Sequence, residues 1–255
     1  MDLPLEMPLD LIALHAAAVI AAFFQSVTGI GFGMIAGPVI LIVLNDPAGV
    51  MISTLMSWLV AVALFPILWR GANGAMVRRL ALAACAGVIP GALLLGYADI
   101  SVLKLFAALA ITGLTLMILF GLPGVNRPGP GRDAIFGAFG GFFGGALAMP
   151  GPPAALRASA LGWDKRTVRA TMVCFFVAVW PIVFAAQAIS IGLPRDTLWN
   201  ALSLVPATLA GLAIGNWAAA RVSEAFFRRL VFGVLFAAAA ALMLSVLRDW
   251  MGAGA

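Results

Sequence analysis

Apolar residues run along this chain in long blocks separated by short polar joints, and the lengths of the blocks sort them. A helix rising 1.5 Å per residue needs about 20 apolar residues to cross roughly 30 Å of hydrocarbon. Six blocks meet that length alone: Ala48 to Trp69, Val77 to Tyr97, Val102 to Leu122, Val168 to Ile191, Leu198 to Ala220 and Leu230 to Leu247. Two others, Leu9 to Leu44 and Ala134 to Leu161, are interrupted by glycine: VTGIGFGMIAGP over Val27 to Pro38, and GAFGGFFGGALAMPGPP over Gly137 to Pro153. Glycine recurs every fourth residue in both, at Gly29, Gly33 and Gly37 and at Gly137, Gly141 and Gly145. On a helix that spacing predicts one face that another backbone approaches closely. Each run then meets a proline, Pro38 or Pro150, which lacks an N–H and breaks or kinks a helix. Unpaired backbone at membrane depth is tolerated only where protein covers it or a cavity wets it. Both runs are therefore expected to be broken, site-forming segments, each a down-and-up pair of short or half-length helices. A re-entrant hairpin and two abbreviated spans are both consistent with that drawing.

Charge placement tests it, because Lys and Arg accumulate in cytoplasmic connections. With the acidic amino terminus MDLPLEMPLD outside and each glycine run returning to its starting side, 12 basic residues fall inside, among them Arg70, Arg78, Arg79, Arg157, Lys165, Arg166 and Arg169. Only Lys104, Arg195 and Arg248 fall outside. Single crossings would give 8 inside and 7 outside. A cytoplasmic amino terminus with one crossing in the first run also gives 12 to 3, but the 36 residues of that block and the lack of basic residues ahead of it speak for the return.

The halves can be laid on one another. PAGVMIST, from Pro47 to Thr54, faces KRTVRATM, from Lys165 to Met172, and Gly87 to Ser101 faces Leu209 to Ser223 more loosely. Each half is one returning run plus three crossings, and an odd number of crossings inverts the second copy. The expected fold is an all-α integral membrane protein of two inverted repeats, each a broken or re-entrant glycine-rich helical hairpin plus three transmembrane helices. Its boundaries are a first repeat over 1–122, a Pro/Gly-rich linker over 123–133 and a second repeat over 134–255.

Composition narrows the class further. The chain is 64% hydrophobic and 10% charged, with a mean hydropathy of +1.11, far from a soluble domain. Its net charge of +5 is dispersed at segment ends, which topology explains better than nucleic acid does. Cys85 and Cys174 lie in apolar segments without CxxC spacing, so neither a disulfide framework nor a metal site is expected. The amino terminus lacks the basic start of a cleaved signal, so the first apolar segment is expected to remain. The single histidine, His15, has no ligand partner at suitable spacing, and the acids sit at segment ends and in loops. No catalytic group, metal or cofactor is expected. Neither glycine run is followed by GKS or GKT, so neither reads as a nucleotide loop.

A site built mainly from backbone remains. Helices that start after a break direct free N–H groups and a positive dipole end into the membrane interior, which suits an anion. The candidate contacts are Thr28, Gly29, Gly31, Gly33, Pro38, Ser53 and Ser57 in the first half, with Gly144, Gly145, Pro150, Gly151, Arg157 and Thr171 in the second. Ser26 and Thr54 lie near the same breaks. The hydroxyls either donate to ligand or only satisfy helix carbonyls. Arg157, seven residues beyond Pro150, either neutralises the anion or snorkels to headgroups. Asn216 either bonds across helices or faces substrate, and Trp163, Trp199 and Trp250 are expected to anchor segment ends.

With GIGFGMIAGP early in the first half, PAGVMIST opening the next helix and GGFFGGALAMPGP opening the second half, the chain resembles the TauE/SafE sulfite exporter family, also called the 4-toluene sulfonate uptake permease family. The resemblance covers nearly the whole chain. Relative to that family's pattern, Phe32 separates Gly31 from Gly33, and Gly151, Pro152 and Pro153 make a heavier second break. It implies a secondary transporter, an exporter of sulfite, a sulfonate or a related organosulfur or carboxylate anion, in the inner (plasma) membrane. An anion channel and an uptake permease coupled to protons or sodium are the alternatives. The expected partners are a small anion and membrane lipid, with a homodimer as the one protein assembly considered.

Overall fold

The computed structural model describes residues 8–29, 31–120, 124–219, 221 and 224–252, and every regular element among them is helical. The amino-terminal stretch 1–7 and the expected repeat boundary at 122–123 lie outside the described residues. The order is α1 (Pro8–Thr28), α2 (Phe32–Leu44), α3 (Ala48–Leu68) with a 3-10 turn (Trp69–Gly71), α4 (Gly74–Tyr97), α5 (Ile100–Phe120), α6 (Pro130–Leu147), α7 (Gly151–Ser159), α8 (Lys165–Ile191), α9 (Arg195–Ala218) and α10 (Glu224–Gly252).

Seven of these helices are long and apolar enough to cross a membrane: α3, α4, α5, α8, α9 and α10, which correspond to the six uninterrupted blocks, and α1. The seventh corrects the expectation of two short arms in the first run. Nothing in Leu9 to Thr28 breaks the helix, so α1 extends for 21 residues and only the return arm, α2, is short at 13. The second run has the same asymmetry, with α6 at 18 residues and α7 at 9. Helix α6 opens at Pro130, with Pro at the first helical position where its missing N–H costs nothing, so the end of the expected linker is helical.

Local chemistry explains the ends. Asn73 caps α4 by accepting the Met76 N–H at 3.0 Å. Asp164 caps α8, accepting the Thr167 hydroxyl at 2.6 Å and its N–H at 3.0 Å, and these bonds hold its carboxyl below the usual carboxylate range. The Ser190 hydroxyl donates to Ala92 O, tying α8 to α4.

Two helix pairs are joined backbone to backbone, where small residues substitute for the hydrophobic driving force that lipid removes. In α4 against α6, a β-carbon at Gly137, Gly141 or Gly145 would lie 2.5, 2.1 or 2.5 Å from the carbonyl oxygens of Leu80, Ala84 and Val88. Residue numbers rise together across that seam, so the two helices run parallel. In α1 against α9, Gly211 and Gly215 meet the Val19 and Phe23 carbonyls in the same parallel sense. Helix α8 runs parallel to α4, with Thr171 bonded to Asn73 at one end and Ser190 to Ala92 at the other. It runs antiparallel to α3, with Thr54 bonded to Gln187 at one end and Ala170 against Gly71 at the other.

The expected glycine face is thus present in the second run and absent from the first. The break falls between Gly29 and Gly33, so Gly29, Gly33 and Gly37 do not share one helix. Gly29 packs on Arg169, Gly33 on Ala148 and Gly37 beside Met149 and Ser53.

Candidate functional site

Each break turns the chain sharply. Gly29 and Gly31 have φ of 80° and 114°, a region open to glycine, and they separate α1 from α2. At the second break Ala148 takes φ 57°, its N–H bonded to Gly144 O at 2.9 Å and the Met149 N–H to Phe143 O at 3.0 Å, which closes the end of α6. The breaks touch. A β-carbon at Gly33 would sit 2.0 Å from the Ala148 carbonyl oxygen.

Around that contact lies a small buried pocket, lined by Gln25, Gly31, Phe32, Gly33, Met34 and Ser57 from the first half and by Ala148, Met149, Pro150, Gly151, Pro152, Phe176 and Trp180 from the second. Helices α2 and α7 therefore begin at one place. The N–H groups of Gly31, Phe32, Gly33 and Met34 precede the first possible intrahelical acceptor, and the first bond of the turn is Ile35 N–H to Gly31 O at 3.1 Å. The corresponding positions of α7 are Pro150, Gly151, Pro152 and Pro153, so Gly151 alone has an N–H to offer.

Among the expected contacts, Gly31, Gly33, Ser57, Pro150 and Gly151 line the pocket. Gly144 packs on Pro150, and its carbonyl accepts from Gln187. Pro38 is buried within α2, one residue beyond Gly37. The hydroxyls of Thr28, Ser53 and Ser57 donate to the carbonyls of Phe24, Gly49 and Ser53 in their own helices. Three residues lie elsewhere. Gly145 faces α4 because its side of α6 carries the glycine seam. Thr171, near the amino-terminal end of α8, bonds Thr167 O and receives the Asn73 N–H, so its side chain is directed to the start of α4.

Arg157 is the third, and it neither snorkels nor lines the pocket. It is 1% exposed and donates to Asp133 at 2.8 Å and to the Val125 carbonyl, while Arg79 reaches the other Asp133 oxygen at 3.2 Å. Asp133 lies in the first turn of α6 and Arg157 near the end of α7, so this pair closes the hairpin at the end from which α6 sets out.

Polar residues at the pocket and beside the second break also stand out in the sequence. Gln25 and Gln187 are its only glutamines, both set in apolar blocks. Gln25 Nε2 donates to Ser57 O at 2.9 Å, and Gln187 Nε2 donates to the Gly144 and Gly145 carbonyls at 3.2 and 3.1 Å. Trp180, 2% exposed, has a buried indole N–H with no partner, as has the Gln25 Oε1 acceptor. Trp199 and Trp250 are exposed near helix ends. Cys85 and Cys174 are free thiols, and no group of metal-ligating side chains occurs among the described residues.

No solved structure matches the chain. A protein of Cupriavidus necator named "Probable sulfite/organosulfonate exporter TauE" is 28% identical to it over 96% of this chain and 98% of that protein. The profile described as "Sulfite exporter TauE/SafE" matches residues 14–242, nearly the full set of helices around the pocket, and the chain belongs to the TauE/SafE sulfite exporter family.

Proposed function

We propose that this protein is a secondary transporter that exports a small anion such as sulfite, a sulfonate or a related organosulfur or carboxylate anion. Transport proceeds by alternating access around the pocket between the two breaks. The observation that carries the reading is the convergence of the α2 and α7 starts on one buried pocket. There, four main-chain N–H groups, a helix dipole and an unpartnered indole N–H supply positive potential without a fixed charge. Family membership and the name of the relative support the same substrate class.

Packing supports an inverted repeat. Pairing the first helix of one half with the fourth of the other gives α1 with α9 and α6 with α4, and both pairs are glycine seams of parallel helices. Aligning those seams puts Gly87 and Gly91 opposite Gly211 and Gly215, two residues from the register read in the sequence. The last helix of each half packs on the short arm of the other, α10 on α2 and α5 on α7. The α1 hairpin ends beside the start of α8, and α6 sets out from that same end, so the hairpins enter from opposite faces.

The pocket has room for about one water molecule, so an oxyanion enters only after one hairpin moves relative to the other. A pore would need a continuous opening. With the basic ends of α3, α4 and α8 in the cytoplasm and the amino terminus outside, an inside-negative inner membrane drives an exported monovalent anion by about 2.3 kcal/mol per 100 mV. No coupling ion is then required. The test is sulfite flux in proteoliposomes of the full chain. Saturation and counterflow are expected; unitary currents without counterflow would replace the transporter with a channel.

A further inference from the structure

Where Arg157 is tied to a carboxylate, another arginine is not. Arg169, the fifth residue of α8, donates from Nη2 to the Asn216 side-chain oxygen on α9 at 3.0 Å, and its buried Nε has no partner. None of the ion pairs among the described residues includes it. Asp164, the nearest acid along the chain, is occupied in capping α8 through Thr167. Other cations share this end of the molecule: Lys165 and Arg166 on α8, and Arg221, which stacks over Trp217 at 4.3 Å.

Two independent relations bring Arg169 to the edge of the pocket. Phe176 and Trp180, which line it, follow Arg169 by seven and eleven residues, and those intervals return to within about 20° of one line along a helix. Arg169 is therefore on the pocket-facing stripe of α8, about 10 Å nearer its amino-terminal end. The first break is the second relation. Gly29, two residues before the pocket residue Gly31, lies so close that a β-carbon on it would be 3.2 Å from the Arg169 Cα.

We propose that Arg169, oriented by Asn216, is an anion-binding subsite at the α8 amino-terminal mouth of the pocket, where an oxyanion is held before it reaches the N–H groups of α2. This rests on the transport reading above and adds a specificity-determining cation to it. A guanidinium offers two parallel donors to two oxygens on one centre, which fits sulfite, sulfonates and carboxylates and disfavours a spherical halide. The Asn216 oxygen takes one N–H of Nη2, and the buried Nε–H beside it has no protein partner.

The test separates binding from transport. Thermal unfolding of the purified full chain is followed against sulfite, methanesulfonate and chloride at constant ionic strength. The wild type should be stabilised by the two oxyanions more than by chloride. Arg169→Gln should need about tenfold more oxyanion for the same stabilisation, the loss expected of a charge-assisted bond. Asn216→Asp, which sets a carboxylate against the guanidinium and keeps the packing, should do the same; Arg169→Lys, which keeps the charge and loses the fork, should narrow the difference between the oxyanions and chloride. In proteoliposomes, Arg169→Gln should lower kcat/KM by the same factor from both faces, as an uncoupled carrier requires, and at the α8 amino-terminal face the change should be carried by KM. Wild-type stabilisation that is absent, or retained in both Arg169→Gln and Asn216→Asp, overturns the subsite, and so does an unchanged KM at both faces. Binding that depends on Arg169 in a protein with no flux upholds the subsite and refutes the transport reading instead.

Discussion

The two breaks occupy matching places in the chain and meet at one pocket, yet they are made differently. The first has two glycines at positive φ and leads into α2 with four main-chain N–H groups ahead of its first turn. The second turns on an alanine at φ 57° and leads into α7 through three prolines. Its short arm is pinned from behind, since Arg157 joins the end of α7 to the start of α6 through Asp133. One break is rich in donors, and the other is poor in donors and held rigid. Matching places in the chain therefore need not carry matching chemistry: in the proposed mode of transport the α2 start holds the anion, and the α7 start is the wall it rests on.

The largest effects should come from the pinned arm. Asp133→Asn leaves the buried Arg157 guanidinium without its carboxylate and should cost about 5 kcal/mol of stability. Arg157→Gln should cost nearer about 3 kcal/mol, because Arg79 still reaches Asp133. Chemical unfolding of both variants gives the order, and the double variant should recover part of the loss. Anion affinity of the folded Arg157→Gln protein should stay within about threefold of wild type, since Arg157 is bonded to Asp133 and the Val125 carbonyl and does not line the pocket. A loss of tenfold or more would put Arg157 at the anion and undo the division between the breaks.

Gly33→Ala comes next. Its β-carbon would be driven against the Ala148 carbonyl, so the breaks must separate, and flux should fall by roughly a hundredfold, the order that about 1 Å of misplacement costs a preorganised site. Gly74→Ala, with nothing within 4 Å of the added carbon, should transport normally. Trp180→Phe keeps the aromatic wall and removes the indole N–H. Oxyanion affinity should weaken by about two- to tenfold, measured by anion-dependent unfolding.

The smallest effect has the opposite sign. Pro152→Ala restores an N–H to the first turn of α7 and should tighten oxyanion binding by about two- to fivefold, making the second break more like the first. Unchanged affinity would mean that the α7 start does not point at the ligand.

From the sequence alone, the helices and the places where they fail were legible. Twenty apolar residues in a row, a proline, or a pair of glycines constrain the chain locally, so six spans and both breaks could be placed by reading along it. Family membership was legible for the same reason, because its motifs are contiguous. What the tertiary structure decided is which residue meets which, since that depends on how each helix is rotated and on partners far away in the chain. The spacing of Gly29, Gly33 and Gly37 equals that of Gly137, Gly141 and Gly145, but only the second set shares a helix and forms a seam. Nothing near Arg157 in sequence announces Asp133, 24 residues before it, and nothing near Arg169 announces Asn216, 47 residues after it. The choice between a paired arginine and an open one is therefore made by packing, and only the folded chain shows which is which.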